Sequence, residues 1–304
     1  MEKLSLLTTE ESNVKSASLD EMPTLEILKT MNEEDQTIAL AVQKVLPQIE
    51  QTVEKVVSAF KAGGRLIYTG AGTSGRIGVL DAVECPPTFS TSPEMVQAVL
   101  AGGNNAMFTA VEGAEDDELL GASDLEKLHI TKHDVVIGIA ASGRTPYVKG
   151  GLVYANSCGA TTVALSSNAQ SLIGKHADIK IEVVTGPEVL TGSTRLRAAT
   201  AHKMVLNMIT TASMVKNGKV YKNLMVDLNA SNYKLRERAK QMVCTLTDVS
   251  YEEAEAVLEK TDFDVKLAIV MIFTGVAKEE AERLIRTSGG FVREAVKTAT
   301  IKEG

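Results

Sequence analysis

Two glutamates, Glu84 and Glu115, lie thirty-one residues apart, each just after glycine-rich sequence. Taking a proton from one atom and delivering one to another needs two positioned titratable groups, and two carboxylates fill both roles when their surroundings split their pKa values. Glu84 comes soon after Gly70-Ala71-Gly72-Thr73-Ser74-Gly75-Arg76 and runs into Cys85-Pro86-Pro87. The fixed φ of the two prolines is expected to hold the preceding carboxylate in one direction. Glu115 ends Val111-Glu112-Gly113-Ala114-Glu115. Glu112, three residues earlier, could share a helical face with it and exchange roles, although neighbours at that spacing also form plain solvated acidic faces.

The elements that carry these residues follow from hydrophobic patterning. Short apolar runs at Arg65 to Thr69, Met95 to Leu100, Asp134 to Ala140, Thr161 to Ser166 and Ile179 to Val184 suit buried strands. Helical patterns fill the gaps, notably Pro146 to Ser157, so the strands connect by crossovers into a parallel sheet covered on both faces. Before the first strand, Glu33 to Lys61 reads as one long amphipathic helix after a polar, irregular start. After the last strand, Arg195 to Val215 reads as another long helix, and from Leu235 onward the chain is helical with no strand candidate.

In such sheets ligands bind beyond the carboxyl ends of the strands. Three loops fall there: Gly70 to Arg76, Ala141-Ser142-Gly143-Arg144-Thr145-Pro146, and Gly186-Pro187-Glu188-Val189-Leu190-Thr191-Gly192-Ser193-Thr194-Arg195. Glycines let the backbone approach an anion, and Thr73 and Ser74 add hydroxyl donors at a helix start, which makes a phosphate or carboxylate cradle. A tight strand-to-helix connection that binds nothing would use the same glycines. Gly70-x-Gly72-x-x-Gly75 also matches a dinucleotide fingerprint, but the hydroxyls and the second loop at Ser142 to Thr145 suit a smaller phosphate ester. Arg76, Arg144 and Arg195 each adjoin a hydroxyl-rich loop and could pair with a substrate anion or with a structural carboxylate. Glu188 reads as structural or hydroxyl-binding, and His202 as a packed histidine.

A net charge of −7 argues against a nucleic-acid partner, and no apolar run is long enough to cross a bilayer. The amino-terminal residues lack the pattern of a secretory signal, so the cytoplasm is expected. Cys85, Cys158 and Cys244 lack metal-type spacing and are expected reduced, with Cys85 the one near a site. His129, His133, His176 and His202 are likewise not spaced as metal ligands. No cofactor is expected.

Taken together, Gly70 to Arg76, Asp81 to Thr88, Ala110 to Asp116, Gly138 to Tyr147, Val189 to Arg195 and Asn223-Leu224-Met225-Val226-Asp227 resemble the sugar isomerase (SIS) fold family and, within it, the N-acetylmuramic acid 6-phosphate etherases. The resemblance covers nearly the whole chain. It implies an α/β architecture: a three-layer parallel-sheet SIS (flavodoxin-like) domain with an N-terminal helical segment and a small C-terminal helical (UBA-like) domain. The implied divisions are an arm and helix at 1–56, a sugar-phosphate-binding catalytic domain at 57–220, and a helical subdomain at 221–304. It further implies cleavage of the D-lactyl ether at C3 of the amino-sugar phosphate, with Glu84 as proton donor and Glu115 as base. Ser142, Gly143 and Thr145 then match the phosphate loop, Gly72, Thr73 and Ser74 the companion loop, and Arg144 and Ser193 complete the substrate contacts. A homodimer is implied as well. A sugar-phosphate-sensing regulator without turnover, or an aldose-ketose isomerase, would share the loops.

Overall fold

Five short runs of β-branched and other apolar residues become the five strands of one sheet in the computed structural model, which describes residues 7–227, 230 and 232–302. Residues 1–6, 228, 229, 231, 303 and 304, among them the start of the expected arm, lie outside the described residues. In chain order the elements are α1 (Thr24–Asp35), α2 (Ile38–Gln43), α3 (Leu46–Lys61), β1 (Leu66–Gly70), α4 (Gly72–Phe89), β2 (Val96–Leu100), α5 (Glu118–Glu126), β3 (Val135–Ile139), α6 (Pro146–Ser157), β4 (Thr161–Ser166), β5 (Ile179–Glu182), α7 (Arg197–Lys216) and α8 (Tyr233–Thr247). Then come α9 (Tyr251–Lys260), α10 (Val265–Thr274), α11 (Lys278–Thr287) and α12 (Val292–Lys302). They divide into two units, one formed by residues 7–83 and 93–210, the other by 84–92 and the chain from 211.

The first unit holds the sheet, with strand order β2-β1-β3-β4-β5, every pairing parallel. Every residue of β1 and β3 is buried, as strands covered on both faces must be. On one face Ile67, Val136 and Ala164 pack against Leu125 of α5 and Val148, Leu152 and Ala155 of α6. On the other, the Tyr68 hydroxyl donates to Asp81 of α4 at 2.8 Å, and Asn207 of α7 donates to the same carboxylate at 2.6 Å. The register sets Gly70 opposite both Leu100 and Ile139, and Ile139 opposite Leu165. Four strands therefore end at one level, and the strand order reverses between β1 and β3, the place where ligands of such sheets bind.

The expected single helix from Glu33 to Lys61 is instead three helices. Pro47 occupies the first turn of α3, where its missing N–H costs nothing, but its ring would clash with the residue 43 carbonyl of a continuous helix. The early residues are not irregular either: α1 starts at Thr24, ahead of the expected helix.

The second unit is a helical cluster. Asn232, Ser250 and Asp264 cap α8, α9 and α10 by accepting from the N–H groups of Leu235, Glu253 and Leu267. Val265 through Val270 of α10 are all buried, so this helix is central, packed by Val243 of α8, Leu258 of α9, Leu284 of α11 and Ala295 of α12. No helix among the described residues is long and apolar enough to cross a membrane.

Candidate functional site

The chain leaves β1 at Gly70 and enters α4 two residues later, through Gly72 at φ +54°. That turn is tight because nothing larger than glycine fits: a Cβ at Gly75 would lie 2.5 Å from the Gly70 carbonyl oxygen and 2.3 Å from Leu100 Cδ1. The first turn of α4 thus presses onto the strand end, and the unpaired N–H groups of an α-helix start open at the sheet's carboxyl edge. Thr73 and Ser74 stand there half-buried, their hydroxyls without a hydrogen bond among the described residues. Arg76, one turn on, donates Nε to the carbonyls of Ala106 (3.0 Å) and Met107 (3.1 Å), and NH2 to Ala106 again (2.7 Å).

Ala71, Gly72 and Arg76 form one side of a 490 Å³ cavity over the ends of β1 and β2. Ala106 and Val111 line its wall, and Glu112, Glu115 and Asp116 bring carboxylates to it. Glu115 sits in a single 3₁₀ turn, Ala114–Asp116, entered through Gly113 in the left-handed region. The helical face expected to join Glu112 and Glu115 is therefore absent, because Gly113 reverses the backbone between them. Both still reach the same cavity, exposed and without hydrogen bond or ion pair among the described residues.

The loop after β3 is built from the loop after β4. Asn168 Nδ2 donates to the carbonyls of Ala141 (3.1 Å) and Ser142 (3.3 Å) and to Thr9 Oγ1 (3.0 Å). Gly143 adopts φ +70° and lies so near Ser171 that a Cβ would sit 2.5 Å from the serine Cβ. Glu182, at the end of β5, accepts from the N–H groups of Gln170 and Ser171, both at 2.9 Å, and fixes that neighbouring loop. Thr145 occupies the N-cap position of α6. Ser142 and Arg144 line a 200 Å³ depression with Gln170 and Ser171, separate from the Glu115 cavity.

In the third loop Glu188 is fully buried and accepts from Arg197 N (2.8 Å) and Ala198 N (2.9 Å), so it caps α7. Burial raises its pKa despite these bonds. Arg197, 4% exposed, reaches back to the early helices: NH1 donates to Glu34 (2.8 Å) and to the Pro187 carbonyl (2.7 Å), NH2 to Thr37 (2.8 Å). Ser193 is turned by its N–H donating to Leu190 O at 2.9 Å and lines neither cavity, and Arg195 is exposed. His202 is wholly buried, its Nε2 3.0 Å from Ser167 Oγ, and burial pushes its pKa down to about 4.

Glu84 belongs to the second unit and is exposed on α4, with no hydrogen bond or ion pair among the described residues. Cys85 beside it is buried and forms no disulfide. Pro86 and Pro87 do not end the helix. Helix α4 runs through both to Phe89 and gives up two main-chain donors in its last turn. Among the described residues no group of His, Cys, Asp or Glu could hold a metal ion.

Sequence reasoning missed Asn168, Glu182, Glu34 and Arg197, which hold the loops in place, and Asp81, which joins β1 to α7 through Tyr68 and Asn207. A polar cluster at the end of a strand, Ser166-Ser167-Asn168, was the available signal for one of them.

Comparison with known proteins accords with this geometry. A profile of the SIS domain matches residues 110–212, and one of the glucokinase regulatory protein N-terminal SIS domain matches 48–156. N-acetylmuramic acid 6-phosphate etherase 2 of Lactiplantibacillus plantarum is 59% identical over 96% of this chain and 99% of its own. The N-acetylmuramic acid 6-phosphate etherase of a Geobacillus species is 58% identical over 96% and 99%. Among solved structures, a phosphoheptose isomerase from Francisella tularensis shares the fold, with a TM-score of 0.50 at 18% identity over 64% of this chain and 100% of that one. At this identity over almost its full length, the chain belongs to the N-acetylmuramic acid 6-phosphate etherase family.

Proposed function

We propose that this protein cleaves the C3 D-lactyl ether of N-acetylmuramic acid 6-phosphate, giving N-acetylglucosamine 6-phosphate and D-lactate by elimination and then addition of water. The observation that carries this reading, beside family membership, is Glu115: a carboxylate with no hydrogen bond or ion pair among the described residues, lining a 490 Å³ cavity next to the Gly72 turn.

The chemistry divides between two carboxyl groups. In the open-chain aldehyde the C2 proton is acidic, and Glu115 takes it as base. The C3–O bond then breaks with its electrons on the lactyl oxygen, a poor leaving group unless protonated, and Glu84 supplies that proton. Water adds its oxygen to C3 of the unsaturated aldehyde and a proton returns to C2, so the net change is hydrolysis of the ether. Ser142, Gly143 and Thr145 hold the phosphate with the helix start of α6, while Gly72, Thr73 and Ser74, Arg144 and Ser193 bind the rest of the sugar. Both proton roles being filled by side chains, the route asks for no metal or cofactor.

On this reading residues 57–220 form the catalytic domain, 1–56 the N-terminal arm and helix, and 221–304 a helical subdomain, and two copies pair as the working unit in the cytoplasm. Purified protein incubated with the substrate in deuterated water should release D-lactate and leave deuterium at C2 of the amino sugar. No lactate from well-folded protein refutes the reading, and lactate without C2 deuterium refutes the elimination route. A monomeric mass by light scattering at full activity contradicts the pairing.

A further inference from the structure

We infer that Arg76 recognises the carboxylate of the lactyl group, an assignment that rests on the ether-cleavage reading. Arg76 is the one basic side chain among the described residues lining the Glu115 cavity, whose other charged groups are Glu112, Glu115 and Asp116. It forms no ion pair with any of them. Its partners are the neutral carbonyls of Ala106 and Met107, at 2.7 to 3.1 Å from Nε and NH2, and NH1 has no partner among the described residues. A guanidinium carries five donors in a rigid plane, so this arrangement fixes its orientation through one edge and leaves it without a directly bonded carboxylate and with its remaining N–H groups open.

A cation held by carbonyls among carboxylates is poised for an incoming anion. The substrate offers two, a phosphate on C6 and the lactyl carboxylate on C3, and on the ether-cleavage reading the first goes to the loop of Ser142, Gly143 and Thr145, whose Ser142 lines a separate depression. The planar carboxylate matches a guanidinium edge and lies two bonds from the oxygen that departs. Arg76 would thus hold the leaving group beside the base.

The test crosses variants with substrates. Wild type, Arg76→Gln and Arg76→Lys are each given N-acetylmuramic acid 6-phosphate and its analogue with a lactyl carboxamide, and kcat/KM is read from release of lactate or lactamide. A charge-assisted contact predicts that wild type favours the acid by about ten- to a hundredfold. Arg76→Gln, whose amide can still donate to Ala106, should lose that preference by slowing on the acid alone, and Arg76→Lys should keep part of it. Equal turnover of acid and amide by wild type overturns the assignment without any variant, and so does an Arg76→Gln protein slowed equally on both, as a structural role would produce. If wild type cleaves neither compound, the ether-cleavage reading fails. Calorimetric binding of the acid and the amide to wild type and Arg76→Gln then tests Arg76 separately: a preference for the acid lost in the variant upholds it, and no preference overturns it.

Discussion

Replacing Glu34 by alanine should destabilise the sheet unit severely, although Glu34 lies far from the loops in sequence. Its carboxylate, 10% exposed, accepts from Arg197 NH1 at 2.8 Å, Lys15 Nζ at 2.7 Å and Asn13 Nδ2 at 2.9 Å. Removing it leaves the Arg197 guanidinium, 5% exposed, without a counter-charge. Breaking one side of a buried pair costs about 3–5 kcal/mol. The lower end applies here, because Arg197 keeps its bonds to Pro187 and Thr37. For a unit of this size about 3 kcal/mol is a fall in Tm of roughly 6–12 °C, read by circular dichroism on heating. Removing Arg197 as well, with methionine in its place, should destabilise by less than the sum of the single changes, since no orphan charge remains. The pH dependence gives an independent check. Burial pushes the Glu34 carboxyl up, but the hydrogen bonds from Lys15 and Asn13 and the Arg197 charge outweigh it, and its pKa lies below the ordinary value. A depressed carboxyl stabilises above its unfolded pKa and loses that contribution as pH falls through the folded one, so the variant should show a flatter acid limb than the wild type. A Tm shift under about 2 °C, or strictly additive changes, would refute the argument that this pair clamps the start of α7.

Asn168→Ala removes the donor that holds the Ala141 and Ser142 carbonyls, a loss of about 1–3 kcal/mol, and should raise KM for the sugar phosphate about tenfold. An unchanged KM separates Asn168 from substrate binding. His202 is buried with its pKa at about 4 rather than 6.5, so the unfolded chain takes up the proton first as pH falls and stability is lost between pH 6.5 and 4. His202→Gln should flatten the unfolding free energy across that window, and an unaltered slope contradicts the assignment. Glu84→Gln should slow lactate release about a hundred- to ten-thousandfold while binding measured by calorimetry persists, because the amide keeps the shape without the catalytic proton. Unchanged turnover removes Glu84 from the mechanism.

The sheet was legible because its determinants are local. Leu66 to Gly70 and Val135 to Ile139 are short runs without a charged residue, buried throughout, and glycines near their ends carry the turns that open the site. The break between α2 and α3 was legible too, in Pro47, but the apolar spacing on either side keeps a helical phase and masks it. Gly113 carried the same kind of signal between Glu112 and Glu115, and a left-handed glycine outweighs an acidic i,i+3 pattern. What no window of sequence reveals is the support beneath the loops, since those bonds join residues far apart along the chain. Asn168 acts on a loop 26 residues before it, and Arg197 reaches 163 residues back to Glu34. The turn at Gly72 is more local: Gly70 and Gly75 fit against each other, with Leu100 of β2 closing on Gly75. The Ser142 loop, whose glycine rests on Ser171 and whose carbonyls hang on Asn168, takes its shape from its neighbours. Substitutions in the β4 loop should therefore disturb the Ser142 depression while leaving the Glu115 cavity, walled by Arg76 and the turn after β2, intact.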